Sequence, residues 1–298
     1  MNDVKDLFNF YDQTYLKSYN LDDSLQYQLK VLDSLDVYTR KHCESVATIT
    51  CNLCHKLHLS RGFTEYTTIC AYLHDIGKQF IPPSVLQKPA KLTDEEYEIM
   101  KTHTTLGYNL CMKDPKLRPY HAGTYYHHEC LNGTGYPQGL LKKDIPFEAQ
   151  IIKVADEYDA IVNKRQYKSH IGISEALKII IDKTKAGQNN KTVVKALLKV
   201  VINDIEYELS CIMDYVTSLK KEIKRYEKID YYNKKRLSAK NEENKIYYEE
   251  YMKLYLNSNE TIDRFEQLYA EIVEAYNLRK NEVTNLYNEI KTIKKIRI

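Results

Sequence analysis

Tryptophan is absent from the 298 residues, and the seven cysteines are an odd number at irregular spacing. That usage argues against a disulfide framework and fits the reduced thiols of a cytoplasmic protein. No apolar run approaches the roughly 18 residues that a membrane span requires. The opening MNDVKDLFNFYDQTY has no basic segment leading into an apolar one, so a secretion signal is not expected. Neither sign of charge dominates: 44 Lys+Arg against 41 Asp+Glu leave a net charge of +3. That balance excludes a surface dedicated to a nucleic-acid polymer. Glycine and proline are scarce and confined, with all seven Pro between Pro82 and Pro146 and all nine Gly between Gly62 and Gly187. What is present is globular in kind, with 43% hydrophobic and 29% charged residues.

From Gln188 to Ile298 both chain breakers are missing, which predicts helix almost throughout. Ile205, Leu209, Ile212, Val216, Leu219, Ile223 and Tyr226 step alternately by four and three. Ile262, Phe265, Tyr269, Ile272, Tyr276, Val283, Leu286, Ile290 and Ile293 continue that step, interrupted at Arg279. Such heptads seek a partner along a narrow stripe. The turns are expected at SAKNEENK, 238–245, and LNSNE, 256–260. Residues 204–298 therefore read as a helical hairpin or three-helix, coiled-coil-like module. It is either a structural appendage or an arm for a homodimer or a partner protein.

Upstream, helical patterns at roughly 22–58, 64–74, 93–113, 118–130, 147–162, 173–184 and 190–203 alternate with loops, and strand patterns are scarce. The class is all-α. Three segments are expected: a short helical piece at 1–34, a main domain at 35–203, and the C-terminal module.

The chemistry lies in the histidines. His42, the adjacent pair His74-Asp75, His103, the pair His127-His128, and Asp156 form a set of imidazole and carboxylate donors. Mixed His/Asp sites suit zinc, iron or manganese, and an Asp next to a His can bridge two ions through its two oxygens. Two cations sharing a water lower its pKa enough to give hydroxide near neutral pH.

LHDIGK at 73–78, HHE at 127–129, NGTGYP at 132–137 and VADEYDA at 154–160 follow in order, with His42 upstream and His103 between. Over about residues 35–203 the chain resembles the HD-GYP group of the HD phosphohydrolase superfamily. The resemblance implies an all-α, HD-type helical bundle and two or three divalent metal ions, commonly iron or manganese, of which two are expected here. It also implies hydrolysis of a cyclic dinucleotide, above all cyclic di-GMP, by a hydroxide shared between the ions. It implies His42, His74, Asp75, His103, His127, His128 and Asp156 as ligands, with Asp75 as the bridge. His42 and Asp156 would complete the first site, and His103, His127 and His128 would hold the second. Lys78, one turn beyond His74, would face a phosphate. Asp159, three residues after Asp156, would orient a ligand or accept a proton. Tyr136, Arg165 and Lys168 would contact substrate.

The chain departs from the group's pattern at three places. Cys130 stands where Arg is usual, and Asn132 replaces the Asp before the GYP segment. Tyr38 occupies the position of a third-metal Glu, and a phenol of pKa about 10 is a poor ligand. Two rival readings follow: an HD-GYP scaffold that signals through its arm, or an enzyme for another nucleotide such as cyclic GMP-AMP. Cys51-Asn-Leu-Cys54-His55 matches a haem-attachment pattern and, with His58, has zinc-like spacing. Thiols on a core helix are the expected outcome there.

Overall fold

The computed structural model describes residues 30–162 and 172–298. Among them there is no β-strand, only an isolated bridge between Asn132 and Leu141. None of the described helices is long and apolar enough to cross a membrane. The chain divides into two units, Met1–Val201 with Ile296–Ile298, and Ile202–Lys295.

In the first unit, α1 (Val37–Lys56) is started by Asp36, whose carboxylate accepts the amides of Tyr38 and Thr39. The sequence pattern predicts one helix across 22–58. Instead, Leu35 and Asp36 are extended and separate a short 3-10 turn at Val31–Ser34 from α1. An aspartate whose side chain caps the backbone favours a start over a continuation. α2 (Arg61–Leu73) is capped by Ser60 and followed by a 3-10 turn at Ile76–Phe80. Beyond the short α3 (Pro83–Leu86), the stretch expected as one helix at 93–113 is two: α4 (Asp94–Lys101), opened by a Thr93/Glu96 capping box, and α5 (His103–Lys113). The stretch 118–130 holds only a 3-10 turn and α6 (His121–Tyr126). α7 (Phe147–Val162) and α8 (Ile173–Lys185) complete the bundle, and α9 (Lys191–Ser238) begins in this unit.

α1 packs on α2 and α7, and α5 packs on α6 and on the 3-10 turn after α2. Cys43, Val46, Ala47, Leu73, Ile152 and Ala155 are fully buried between them. A Cβ on Gly77 would meet the His103 carbonyl oxygen at 1.9 Å, so only glycine lets that turn lie against the start of α5. This contact brings Asp75 beside His103.

In the second unit the two heptad stripes face each other. α11 (Phe265–Lys294) runs antiparallel to the later part of α9, with Glu206 paired to Lys294 and Arg225 to Glu260, each at 2.7 Å. Tyr226, Ile229, Phe265 and Met252 of α10 (Glu242–Lys253) form the core there. Both terminal guanidinium nitrogens of Arg225 and the Tyr226 hydroxyl donate to Glu260, as does the Asn257 backbone amide. Hydrogen bonding from Arg225 holds the Glu260 carboxyl down at about 2. Its stabilising effect is therefore complete above the ordinary carboxylate range and is lost as pH falls towards 2. Glu260→Gln is expected to cost about 2 kcal/mol in urea unfolding at pH 7. The gap from wild type should close on acidification; a pH-independent gap would refute the ionic role.

Candidate metal centre

Three helices and the turns after two others deliver the seven donor residues to one place. His42 comes from the second turn of α1, and His74 and Asp75 from the junction between α2 and the 3-10 turn that follows it. His103 opens α5, His127 and His128 follow α6, and Asp156 lies on α7 one turn before Asp159.

The ring orientations are set from behind. Nδ1 of His74 donates to the Ala71 carbonyl at 2.6 Å, that of His103 to Met100 at 2.7 Å, and that of His127 to Gly123 at 2.8 Å. A carbonyl only accepts, so in each ring Nε2 is the nitrogen turned to the cluster. Nδ1 of His42 faces Asp159 at 2.7 Å, and Ser45 donates to the other Asp159 oxygen. Asp159 is thus engaged on both sides, by His42 and by Ser45.

Asp75 stands at the centre, and its two oxygens face different groups. Oδ2 lies 3.3 Å from His74 Nε2 and 3.7 Å from His42 Nε2. Oδ1 lies 3.3 Å from His103 Nε2 and 3.9 Å from His127 Nε2. Asp156 spans the same gap, at 3.0 Å from His42 Nε2 and 3.9 Å from His128 Nδ1. The donor atoms of His42, His74 and Asp75 lie within 4.8 Å of one another, and so do those of His103, His127 and His128.

Burial and neighbouring charge act differently on the groups of this pocket. Burial pushes His103 down to about 4, and burial with neighbouring imidazoles pushes His127 and His128 well below the ordinary value. These rings are neutral and offer lone pairs. Burial alone would raise Asp75, yet Lys78 and His74 outweigh it and hold the carboxyl well below its ordinary value. Burial opposes charge on His74 too, and there the Asp75 carboxylate wins, raising it well above the usual imidazole range.

The residues fit a metal. Nε2 of His103 and Nε2 of His127 face each other at 3.2 Å, each with its proton already committed on the opposite nitrogen. Two lone pairs aimed at each other want a cation near both. His74 Nε2 and Asp75 Oδ1 are buried without a well-formed hydrogen bond, which is costly unless another partner binds them.

The rim is more open. The His128 side chain is 26% exposed and that of His42 15%, whereas His74, His103, His127 and Asp75 are sealed, so the cluster opens to solvent on the His42–His128 side. Lys78 is in contact with Asp75 Oδ2. Tyr136 stacks on His128, with centroids 4.7 Å apart and planes at 29°. Lys101 lies 5.7 Å from the Tyr136 ring and 5.4 Å from that of Tyr97. Arg165 and Lys168 lie outside the described residues. Tyr38 is exposed and belongs to neither donor group. Cys51 and Cys54 are buried, His55 is exposed, and neither donor group among the described residues includes them or His58.

Sequence reasoning missed Glu129 and Lys101. Glu129 is fully buried and accepts the amides of Gln138 at 2.7 Å and Leu140 at 2.9 Å, fastening the GYP loop to the His127-His128 turn. Its place directly after two histidines is the available signal.

Residues 27–188 match the HD domain family, and the chain belongs to it. Its LHDIGK, HHE, NGTGYP and VADEYDA segments put it in the HD-GYP group of that family. It is 34% identical over 215 residues to a cyclic di-GMP phosphodiesterase of Thermotoga maritima, covering 65% of this chain and 58% of the relative. It is 35% identical over 158 residues to the cyclic di-GMP phosphodiesterase response regulator RpfG of Xanthomonas campestris pv. campestris, covering 52% and 42%. To the 3′3′-cGAMP-specific phosphodiesterase 3 of Vibrio cholerae it is 32% identical over 151 residues, covering 51% and 33%. The chain thus spans 58% or less of each of these relatives.

Proposed function

We propose that the first unit is a metal-dependent phosphodiesterase that opens a cyclic dinucleotide, cyclic di-GMP foremost. The observation that carries this reading is Asp75, whose two carboxylate oxygens face two separate groups of imidazoles. His42, His74, Asp75 and Asp156 would hold one divalent ion, and Asp75, His103, His127 and His128 a second, with iron or manganese suited to such a donor set. Bound ions would supply Lewis acidity, lowering the pKa of water and drawing charge from the phosphate.

The chain's own residues do the rest. The sealed side of the pocket excludes bulk water and strengthens every charge interaction within it. Asp159 and Ser45 keep His42 in register. The Lys78 ammonium, already inside the pocket against Asp75, offsets the negative charge that grows on the phosphate oxygens. Tyr136, half-buried and stacked on His128, offers its ring to a base. Water adds to phosphorus and the bond to the 3′-oxygen breaks, so a linear dinucleotide with a 5′-phosphate is the first product.

The similarity to a cGAMP-specific relative favours a second substrate, cyclic GMP-AMP, at the same site. The C-terminal unit we read as an appendage whose stripes close on each other; a homodimer or partner contact through 204–298 would show in its mass in solution.

The test is anaerobic purification with manganese or iron, metal analysis, and chromatography of products from cyclic di-GMP and cyclic GMP-AMP. A linear dinucleotide is expected from cyclic di-GMP. Metal-loaded protein that cleaves neither compound would overturn the enzymatic reading.

A further inference from the structure

The GYP loop is held at two ends, and the second end lies outside the donor cluster. Leu131 donates its amide to the Gln188 carbonyl at 3.0 Å, and the Asn132 side-chain amide donates to the Ala186 carbonyl at 3.0 Å. The Asn132 side-chain oxygen turns back and accepts from the Thr134 amide at 3.2 Å and the Thr134 hydroxyl at 2.7 Å. One side chain therefore shapes the turn that leads into Tyr136 and ties that turn to residues more than fifty positions away.

The turn it grips is a fixed post. Ala186 ends α8, and Gly187 follows at φ 79°, the left-handed conformation of a helix stop. Asn189 donates to Glu157 at 2.7 Å, beside Asp156 on α7, and Lys153 and Lys183 bind the other oxygen of the same carboxylate. Asn190 donates to Gln150 of α7 at 2.8 Å and accepts the Thr192 amide, which caps the start of α9. The helix that supplies Asp156 and Asp159 thus holds the turn to which Asn132 attaches.

The chemistry of position 132 is specific. The Ala186 carbonyl belongs to the C-terminal end of α8, where unsatisfied carbonyls concentrate negative charge. An amide donates there. An aspartate of the same shape cannot donate, and its charge would oppose both the carbonyl and the helix end.

We propose that Asn132 is a positioning residue: by tying the GYP loop to the turn after α8, it holds Tyr136 stacked on His128 at the open rim. The inference rests on the phosphodiesterase reading only for the identity of the ligand that meets Tyr136. Asn132 is exposed, so its replacement leaves the core intact.

The test compares the full-length wild type with Asn132→Asp, and with Asn132→Ala as a variant that removes the donor without adding charge. Amide exchange followed by mass spectrometry should quicken in peptides covering 130–142 and 186–190, more for Asp than for Ala, and stay unchanged in α1. Metal content should be unchanged. KM for cyclic di-GMP should rise about fivefold in Asn132→Asp with kcat within about twofold, since one hydrogen bond and an ordered stacking face are lost. Unchanged exchange in both loops would show that no such tie exists. Quickened exchange with unchanged KM would show a tie with no bearing on the rim, and would equally overturn the proposal. If the wild type binds cyclic di-GMP without cleaving it, the enzymatic reading fails, and the same fivefold loss should appear in Kd. If it does not bind at all, the proposal fails with the substrate reading, and exchange at the two loops alone shows whether the tie exists.

Discussion

Asp75→Ala loses metal from both donor groups at once, whereas His103→Ala chiefly depletes one. The expectation follows from geometry: the two Asp75 oxygens lie within 3.9 Å of four imidazoles, two from each group. Asp156, by comparison, meets the second group at His128, 3.9 Å away. His103 stands within the group it forms with His127 and His128. Alanine also leaves Lys78 and His74 facing a pocket whose central negative charge has gone, which raises the cost of bringing any cation there. Asp75→Asn is the companion variant, because it keeps the volume and one oxygen while removing the charge. Hydrolysis should fall by three orders of magnitude or more in both, about 4 kcal/mol. Elemental analysis after anaerobic purification is the measurement, with circular dichroism to show that the helices are retained. Asp75→Ala retaining a full metal complement would remove the bridging role on which the proposed function stands.

Much of this cluster is legible in local spacing. An adjacent His-Asp pair, an adjacent His-His pair, and carboxylates at 156 and 159 are patterns that a helix or a turn converts directly into a shared face. The all-α class is legible for a similar reason, since a stretch without Gly or Pro and with a sustained heptad has little alternative. Other features depend on contacts between distant segments. Gly77 reads as an ordinary turn glycine until its turn is seen pressed on the His103 carbonyl. Glu129 reads as a charge after two histidines until its oxygens are seen holding the amides of Gln138 and Leu140. Lys101 has the pattern of an exposed helix end, yet it lies beside the Tyr136 ring. The helix expected across 22–58 breaks because Asp36 spends its side chain on the amides of Tyr38 and Thr39, a choice that periodicity does not register. The heptad stripes require a partner without naming one, and the ion pairs at either end show that the chain supplies it itself.

Lys78 separates a catalyst from a scaffold. It follows Asp75 by three residues in the 3-10 turn, and its ammonium is in contact with the Asp75 carboxylate, yet it cannot ligate a cation. Removing it should therefore leave metal content unchanged or slightly raised, because a competing positive charge leaves the neighbourhood of Asp75. Lys78→Met keeps most of the stem and its packing, so the fold should be retained. The missing charge matters most when negative charge on the phosphate peaks, which is in the transition state. The rate should fall about a hundredfold, near 3 kcal/mol, with a smaller change in the affinity for cyclic di-GMP. Single-turnover hydrolysis, equilibrium binding and metal analysis on the same preparations give the three readings. A scaffold gives a different pattern: no turnover in the metal-loaded wild type, and an effect of Lys78→Met confined to binding. Equal hydrolysis rates in the two proteins would show that the Lys78 charge does not reach the reacting phosphate.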